Sequence, residues 1–306
     1  MNDPAFDDFR IGIDLGGTKT EIAALTADGQ LLHRHRVPTP PGYDESVRGM
    51  AALVSEIEQK LGGRGSVGIG IPGVISPVTG LVKNANTIAL NGHRFDADIA
   101  ALLAREVRVD NDANCFALSE AKDGAGKDAG VVFGVIIGTG CGGGIVVDGK
   151  VIKGRNRVTG EWGHIPLPWP NPSELPGPKC WCGHYNCLEL WISGTGLAMD
   201  CDGPEARDAH GIPARAAAGE AKAQAALDRH ADRLARGLSM VVNLLDPDVI
   251  VLGGGLSNLE HLYAEMPKRM PAYVFSDFVH TPVVKNLHGD SSGVRGAAWL
   301  WPAPAR

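Results

Sequence analysis

One hairpin pattern, written twice, limits most what this chain can fold into. The segment from Ile11 to Leu32 reads I-G-I-D-L-G-G-T-K-T-E-I-A-A-L-T-A-D-G-Q-L-L, and that from Val135 to Ile152 reads V-I-I-G-T-G-C-G-G-G-I-V-V-D-G-K-V-I. Each holds a short apolar strand, a Gly/Thr turn, a second apolar strand and an Asp-Gly turn into a third. Two such turns facing each other offer many backbone N–H groups to a chain of phosphates. Only the first carries a carboxylate, Asp14, beside the turn. That asymmetry suits a metal–nucleotide site in which one loop places the cation and the other cradles phosphate oxygens. Either turn alone reads equally well as a plain hairpin. Neither is G-x-x-x-x-G-K-[ST]. The residues after Gly138–Gly144 continue as a strand rather than opening a helix, which argues against a dinucleotide fingerprint.

A chain of 306 residues is long enough for two domains with separate cores. Its net charge of −6 weighs against nucleic acid as a main partner, because phosphate neutralisation needs a basic face. No apolar run approaches the roughly 18 residues of a membrane span. The acidic, polar start, Met1 to Asp8, lacks the basic and apolar regions of a signal peptide, so a cytoplasmic protein is expected.

Strands are expected at Ile11–Leu15, Glu21–Leu25 and Leu31–Val37, then a helix from about Ser46 to Leu61, where Val47, Met50, Val54, Ile57 and Leu61 recur at helical spacing. Strand Ser66–Ile71, helix Ala97–Glu106, strand Val107–Asp110 and a helix from Asp112 to about Ala121 follow. This order predicts a mixed sheet with helices on its faces. Asp123 to Gly130 reads as a domain joint, and the Pro/Gly-rich stretch Pro166–Pro178 as loop. A helix is expected from about Ala214 to Leu245, a buried strand at Val249–Leu252, a turn at Gly253–Gly255 into another helix, and a last helix at about Ser292–Leu300.

Three constellations carry chemistry. Asn111-Asp112 sit where a strand ends and a helix begins, the place where ligands of open α/β sheets gather. Asp112 there is either a general base or a helix N-cap. In Gly160-Glu161-Trp162-Gly163-His164, Glu161 could accept hydrogen bonds from two neighbouring sugar hydroxyls. His164, Cys180, Cys182 and Cys187 make a Cys₃His set, the ligand count of structural zinc, around a loop too poor in apolar residues to build a core. In a cytosolic chain such a cluster is metal-binding more often than disulfide-forming. Glu189 would be positioned by the same knot.

Together these residues resemble the ROK family of sugar kinases within the actin-like ATPase fold. The likeness runs from Ile11 to about Trp301. Ile137, Gly140, Cys141, Gly142, Gly144, Ile145, Gly154, Gly160, Gly163 and His164 meet the family signature, and the D-L-G-G-T-K loop, the N-D-A-N segment and the Cys₃His set are in order. The resemblance implies an α/β, two-lobed actin-like ATPase (ribonuclease H-like) fold with a duplicated mixed β-sheet and flanking helices. Residues 1–122 with a returning C-terminal helix (291–306) would form one lobe, and 123–290 with the zinc loop the other. Asp112 would be the catalytic base. Asn111, Glu161, His164 and Glu189 would hold sugar hydroxyls, with Gly73 and Asn86 lining the same pocket. Asp14 would hold Mg²⁺ directly or through water. Gly16, Gly17, Thr18 and Lys19 would meet the phosphates of ATP from one side and Gly138, Thr139 and Gly140 from the other, with Gly254 and Gly255 against the adenosine. One ring nitrogen of His164 would bind zinc and the other face the sugar.

Within the family the chain looks most like manno(fructo)kinases, through V-K-N-A-N (Val82–Asn86), E-W-G-H followed by P-L-P-W (Glu161–Trp169) and G-D-S-S-G-V-R-G-A-A-W-L-W (Gly289–Trp301). That implies an ATP:hexose 6-phosphotransferase acting on fructose, with mannose as a further substrate. Glucokinase and N-acetylglucosamine kinase are alternatives of the same class, and a non-catalytic sugar sensor one of another class. Arg155 and Arg157, in the stretch before Gly160, stand where relatives carry smaller residues, so sugar preference is the expectation most exposed. A family repressor needs an N-terminal winged-helix domain, and only Met1 to Arg10 precede Ile11. The resemblance also implies a homodimer.

Overall fold

The structure, a computed structural model, describes residues 9–85 and 87–302. The first half runs β1 (Phe9–Leu15), β2 (Lys19–Thr26), β3 (Leu31–Pro38), α1 (Tyr43–Leu61), β4 (Ser66–Ile71), the short pair β5 (Val74–Ile75) and β6 (Val82–Lys83), α2 (Phe95–Leu103), β7 (Val107–Asn111) and α3 (Asp112–Asp123). The second runs β8 (Val131–Ile137), β9 (Cys141–Val147), β10 (Lys150–Val151), α4 (Glu189–Ile192), α5 (Gly194–Asp202), α6 (Ile212–Ala217), α7 (Ala221–Leu245), β11 (Val249–Gly253), α8 (His261–Arg269), β12 (Val283–Lys285) and α9 (Ser292–Ala298).

Two five-stranded sheets share one plan. Their orders are β3-β2-β1-β4-β7 and β10-β9-β8-β11-β12. In each, three antiparallel strands are followed by two that run parallel to the first. The duplicated hairpin is the antiparallel part of each sheet. β1 and β4 are buried along almost their whole length, and β4 accordingly reads as a short run without charge. Ile11, Ile13, Ile69 and Ile71 share one core with Val47, Met50, Val54 and Ile57 of α1. Each such aliphatic side chain contributes about 1.5–3 kcal/mol on burial. A second core joins β8 and β11 to the stripe Leu227, Leu234 and Leu238 of α7.

Between the sheets lie α9, against β1 and β4, and α3, against β8 and β9; the two helices also pack on each other. Glycine makes this stacking possible. Gly12 and Gly68 are register neighbours, and a Cβ on either would lie 1.9 Å from a carbonyl oxygen of α9. Gly134 and Gly144 are likewise paired, and a Cβ on either would press within 2.6 Å of α3.

Several boundaries differ from expectation for local reasons. α2 stops at Leu103 because Ala104 turns left-handed. The long helix expected from Ala214 is two, α6 and α7, separated by Gly219 at φ 90°. The Gly253–Gly255 turn enters a single 3₁₀ turn, Gly255–Asn258, before α8 begins. α9 ends at Ala298, two residues early. The Pro-rich loop is pinned to α7 by Glu174, which receives Arg233 Nε at 2.8 Å and Arg236 Nη1 at 2.9 Å. Burial opposes its charge, but the two guanidinium groups win and hold its carboxyl down at about 2. Among the described residues no helix is long and apolar enough to cross a membrane.

Candidate active site

The parallel strands β1, β4 and β7 deliver their C-terminal ends to one edge. Asp14 lies beside Gly70, and Ile71 beside Asn111. β8 and β11 bring Ile136–Gly140 and Gly254 to the facing edge. Two cavities lie in the cleft between them. One, of about 380 Å³, is lined by Asp14, Gly16, Gly17, Lys19, Glu21, Arg36 and Gly254, among others. The other, of about 600 Å³, is lined by Gly73, Asn111, Gly138, Thr139, Gly140, Glu161, His164 and Glu189, among others. Pro72, Asp112 and Ile136 line both. A carboxylate on a shared wall can reach a donor on one side and an acceptor on the other.

In the strand-to-helix turn the cap is Asn111 and not Asp112. Asn111 is the N-cap of α3, its side-chain oxygen accepting from Ala113 N at 2.9 Å and Asn114 N at 3.4 Å. Its Nδ2 donates to Gly73 O at 3.2 Å, tying β7 to the turn after β4. Asp112 is the first helical residue, and one of its oxygens also accepts from Ala113 N, at 2.8 Å. Burial pushes its carboxyl up to about 6, with Glu161 adding to the rise and the Ala113 N–H opposing it. Asp14 is pushed up to about 7, first by burial and then by Asp112 and Glu21, with Arg36 opposing. A carboxylate so disfavoured is one that a cation would relieve.

The first turn is tight, Gly16 N donating to Lys19 O at 3.0 Å, with Thr39 Oγ1 holding Gly16 O at 2.8 Å. Thr18 is exposed at its tip, where its carbonyl accepts from Thr39 N. The second turn is closed by Gly138 N to Gly140 O at 3.0 Å and held from behind by α5. Gly194 N donates to Gly138 O at 2.6 Å and Thr195 Oγ1 to Thr139 O at 2.9 Å. Gly254, at φ 77°, packs on the end of β8, and Gly255 is exposed at the start of the following turn. The second turn borders the larger cavity, not the one that Asp14 lines. Asn86 lies outside the described residues.

Glu161, His164 and Glu189 meet around the larger cavity. Glu161 is raised by the loss of solvent in the cleft, with His164 opposing. Glu189 is a brace: its Oε2 accepts the Cys141 N–H at 2.9 Å and its Oε1 the Trp181 Nε1–H at 3.1 Å. The ligand atoms of His164, Cys180, Cys182 and Cys187 all lie within 4.8 Å of one another. Cys180 Sγ is 3.7 Å from His164 Nδ1 and Cys182 Sγ 3.5 Å from Cys187 Sγ, spacings that suit four ligands about 2.0–2.3 Å from one central ion. With Nδ1 turned toward the thiols, Nε2 of His164 is the nitrogen left for another partner.

Sequence reasoning missed part of the wall. Trp181, Val158, Asn84 and His184 border the larger cavity, and Glu21, Arg36 and Asp290 the smaller. Trp181 lies between two of the knot cysteines and stacks edge-on against His164 at 5.0 Å, a position its neighbours could have signalled.

Residues 10–303 match the family model described as "ROK family". The chain is 42% identical over 296 residues to an N-acetyl-D-glucosamine kinase of Yersinia enterocolitica, covering 94% of this chain and 98% of that one. A protein of the same name from Shigella boydii is 39% identical over 302 residues, covering 94% and 98%. Of solved structures, the ROK hexokinase of Thermus thermophilus superposes with a TM-score of 0.84 at 29% identity, covering 95% of this chain and 97% of that one. A ROK family glucokinase from Streptomyces griseus, in complex with glucose and AMPPNP, gives 0.77 at 28%, covering 95% and 98%. None of these four is named for fructose. The P-L-P-W end of one motif behind that expectation and the tryptophans of another stand off the sugar-side cavity. Pro168 and Trp169 give their carbonyls to Arg236, while Trp299 and Trp301 stack under Arg10 and Arg108.

Proposed function

The chain belongs to the ROK family of sugar kinases, and on that premise we propose that it transfers the γ-phosphoryl group of ATP to the 6-hydroxyl of N-acetyl-D-glucosamine. The observation that carries the transfer is the place of Asp112 on the wall shared by both cavities. The names of the similar kinases carry the choice of sugar. Fructose is a second reading, favoured by one observation: V-K-N-A-N borders the sugar-side cavity at Asn84.

Asn111, Glu161, His164 and Glu189 orient the sugar, and Asp112 takes the proton of the attacking hydroxyl. Gly16, Gly17, Thr18 and Lys19 meet the phosphates from one side and Gly138, Thr139 and Gly140 from the other, with Gly254 and Gly255 toward the adenosine. Phosphoryl transfer asks mainly for alignment and charge neutralisation, which the N–H groups of these turns not already committed to closing them would supply. Asp14 fits a magnesium ion, which when bound offsets phosphate charge. His164, Cys180, Cys182 and Cys187 fit a structural zinc. We assign the described residues of 1–122 with 291–306 to one lobe and 123–290 to the other, working as a homodimer.

An ADP-release assay with Mg-ATP against N-acetyl-D-glucosamine, glucose, fructose, mannose and N-acetylmannosamine tests this. The highest kcat/KM is expected for N-acetyl-D-glucosamine. A clear fructose preference selects the second reading. No turnover with any sugar overturns the catalytic assignment in favour of a sugar sensor.

A further inference from the structure

Lys153 lies just past β10, at the start of the segment that ends in Glu161. Its Nζ reaches Asp110 Oδ2 at 2.7 Å. Asp110 belongs to the other sheet: it is on β7, directly before Asn111 and Asp112. The lysine side chain is 41% exposed and the aspartate 6%.

The other oxygen of Asp110 is already committed. Oδ1 accepts the Asn111 backbone N–H at 2.9 Å and Asn114 Nδ2 at 2.9 Å. Asp110 thus shapes the turn that presents the cap and the base, and Lys153 neutralises it from across the cleft. A cavity of about 180 Å³, bordered by Asp110, Asn111, Lys153 and Arg157, adjoins the contact.

The far end of the segment is fixed separately. Gly160 lies against the backbone of β9, where a Cβ would come within 2.1 Å of Gly143 O. Gly154 folds back on Thr159, its missing Cβ 2.3 Å from Oγ1. The segment is therefore anchored on the second sheet near Glu161 and clipped to the first sheet at Lys153. Val158 and Glu161, which border the sugar-side cavity, lie between clip and anchor or just beyond.

We infer that Lys153 is a positioning residue for the transfer: its ion pair with Asp110 holds the Glu161 segment in register with Asn111 and Asp112. This rests on the sugar-kinase reading above. An ion pair to a nearly buried carboxylate is less screened than a surface pair, and losing the lysine strands that carboxylate without its counter-charge. A misplacement of about 1 Å between sugar and base can cost on the order of 10²-fold in rate.

Lys153→Met tests it, with Lys153→Arg as the conservative control. For Lys153→Met the sugar kcat/KM is expected to fall about 10- to 100-fold, carried by both KM and kcat, while the KM for ATP stays within about twofold. Lys153→Arg is expected to recover most of the loss. A folded Lys153→Met with wild-type sugar kinetics overturns the inference. So does a loss that affects ATP equally and tracks a lower melting temperature, since that marks a general structural support. Wild-type enzyme inactive on every sugar refutes the kinase reading instead. Sugar affinity without ATP, followed by tryptophan fluorescence, then decides the role of Lys153 by the same comparison.

Discussion

Asn111 caps α3, and so Asp112, the residue beside it, is the first of the helix rather than its cap. Of the two jobs that local sequence allows for Asp112, the cap is taken by its neighbour, which leaves its carboxylate free for the proposed role of base. Asp112→Asn is therefore expected to keep the fold, because the Asn111 cap is untouched. Turnover should fall about 10²- to 10⁴-fold, the usual cost of a missing positioned base. Steady-state kinetics beside circular dichroism checks this, and turnover near wild type contradicts the role.

The pH profile follows from the same group. A base must be ionised, and burial pushes the Asp112 carboxyl up to about 6. The sugar kcat/KM should be level between pH 7 and 8 and fall about tenfold per unit on the acid side of the Asp112 value. An ordinary aspartate would place that limb near pH 4. A profile flat down to pH 5 contradicts the assignment.

Stability should move the opposite way. A carboxyl raised on folding destabilises the protein wherever the unfolded chain is ionised. The penalty starts as pH rises past the ordinary aspartate value, is complete above about 6 for Asp112, and is absent well below pH 4. Asp112→Asn should thus stabilise the ligand-free protein by about 1–3 kcal/mol at pH 8, with the gain vanishing near pH 3.5. Urea unfolding at the two pH values measures it.

Metal analysis of the purified protein should find zinc. Cys187→Ser should lose it, because Cys187 is buried and its thiol is 3.5 Å from that of Cys182. Weaker sugar binding is expected with the metal gone, since His164 and Glu189 both stand on the knot. Full zinc occupancy in Cys187→Ser contradicts the ligand set.

Gly296→Ala should be among the most damaging small substitutions. An ideal Cβ there would lie 1.6 Å from Cys115 O of α3. Forcing the two backbones apart should cost at least about 2 kcal/mol in urea unfolding.

The sheets are readable from sequence because burial on both faces demands unbroken apolar runs such as Ser66–Ile71 and Val249–Gly253. β12 and α4 are not, since three residues and a single turn are too short to show a period. In the site, Asp14, Asp112 and Glu161 stand beside glycines or at a strand end, so local pattern marks them. Trp181 is 71% exposed, and its one sequence signal is the pair of knot cysteines, Cys180 and Cys182, whose fold-back carries it to the cavity. Lys153 and Asp110 are far apart in sequence, and nothing in either segment announces the other. The fructose expectation rested on V-K-N-A-N, on E-W-G-H with P-L-P-W and on Gly289–Trp301; of these only Asn84, Glu161 and His164 border the sugar-side cavity, while Pro168, Trp169, Trp299 and Trp301 pack on arginines.

The contact of Gly296 with Cys115 also limits how the cleft can narrow. Where two helices meet backbone to backbone, no side chains lie between them to slide past one another, and turning about the contact is the motion left. Displacement then grows with distance from that pivot. Asp112 is three residues from Cys115, about one helical turn. Asp112 would then move little as the two sheets turn, and the Glu161 segment on the second sheet would carry more of the change in cleft width.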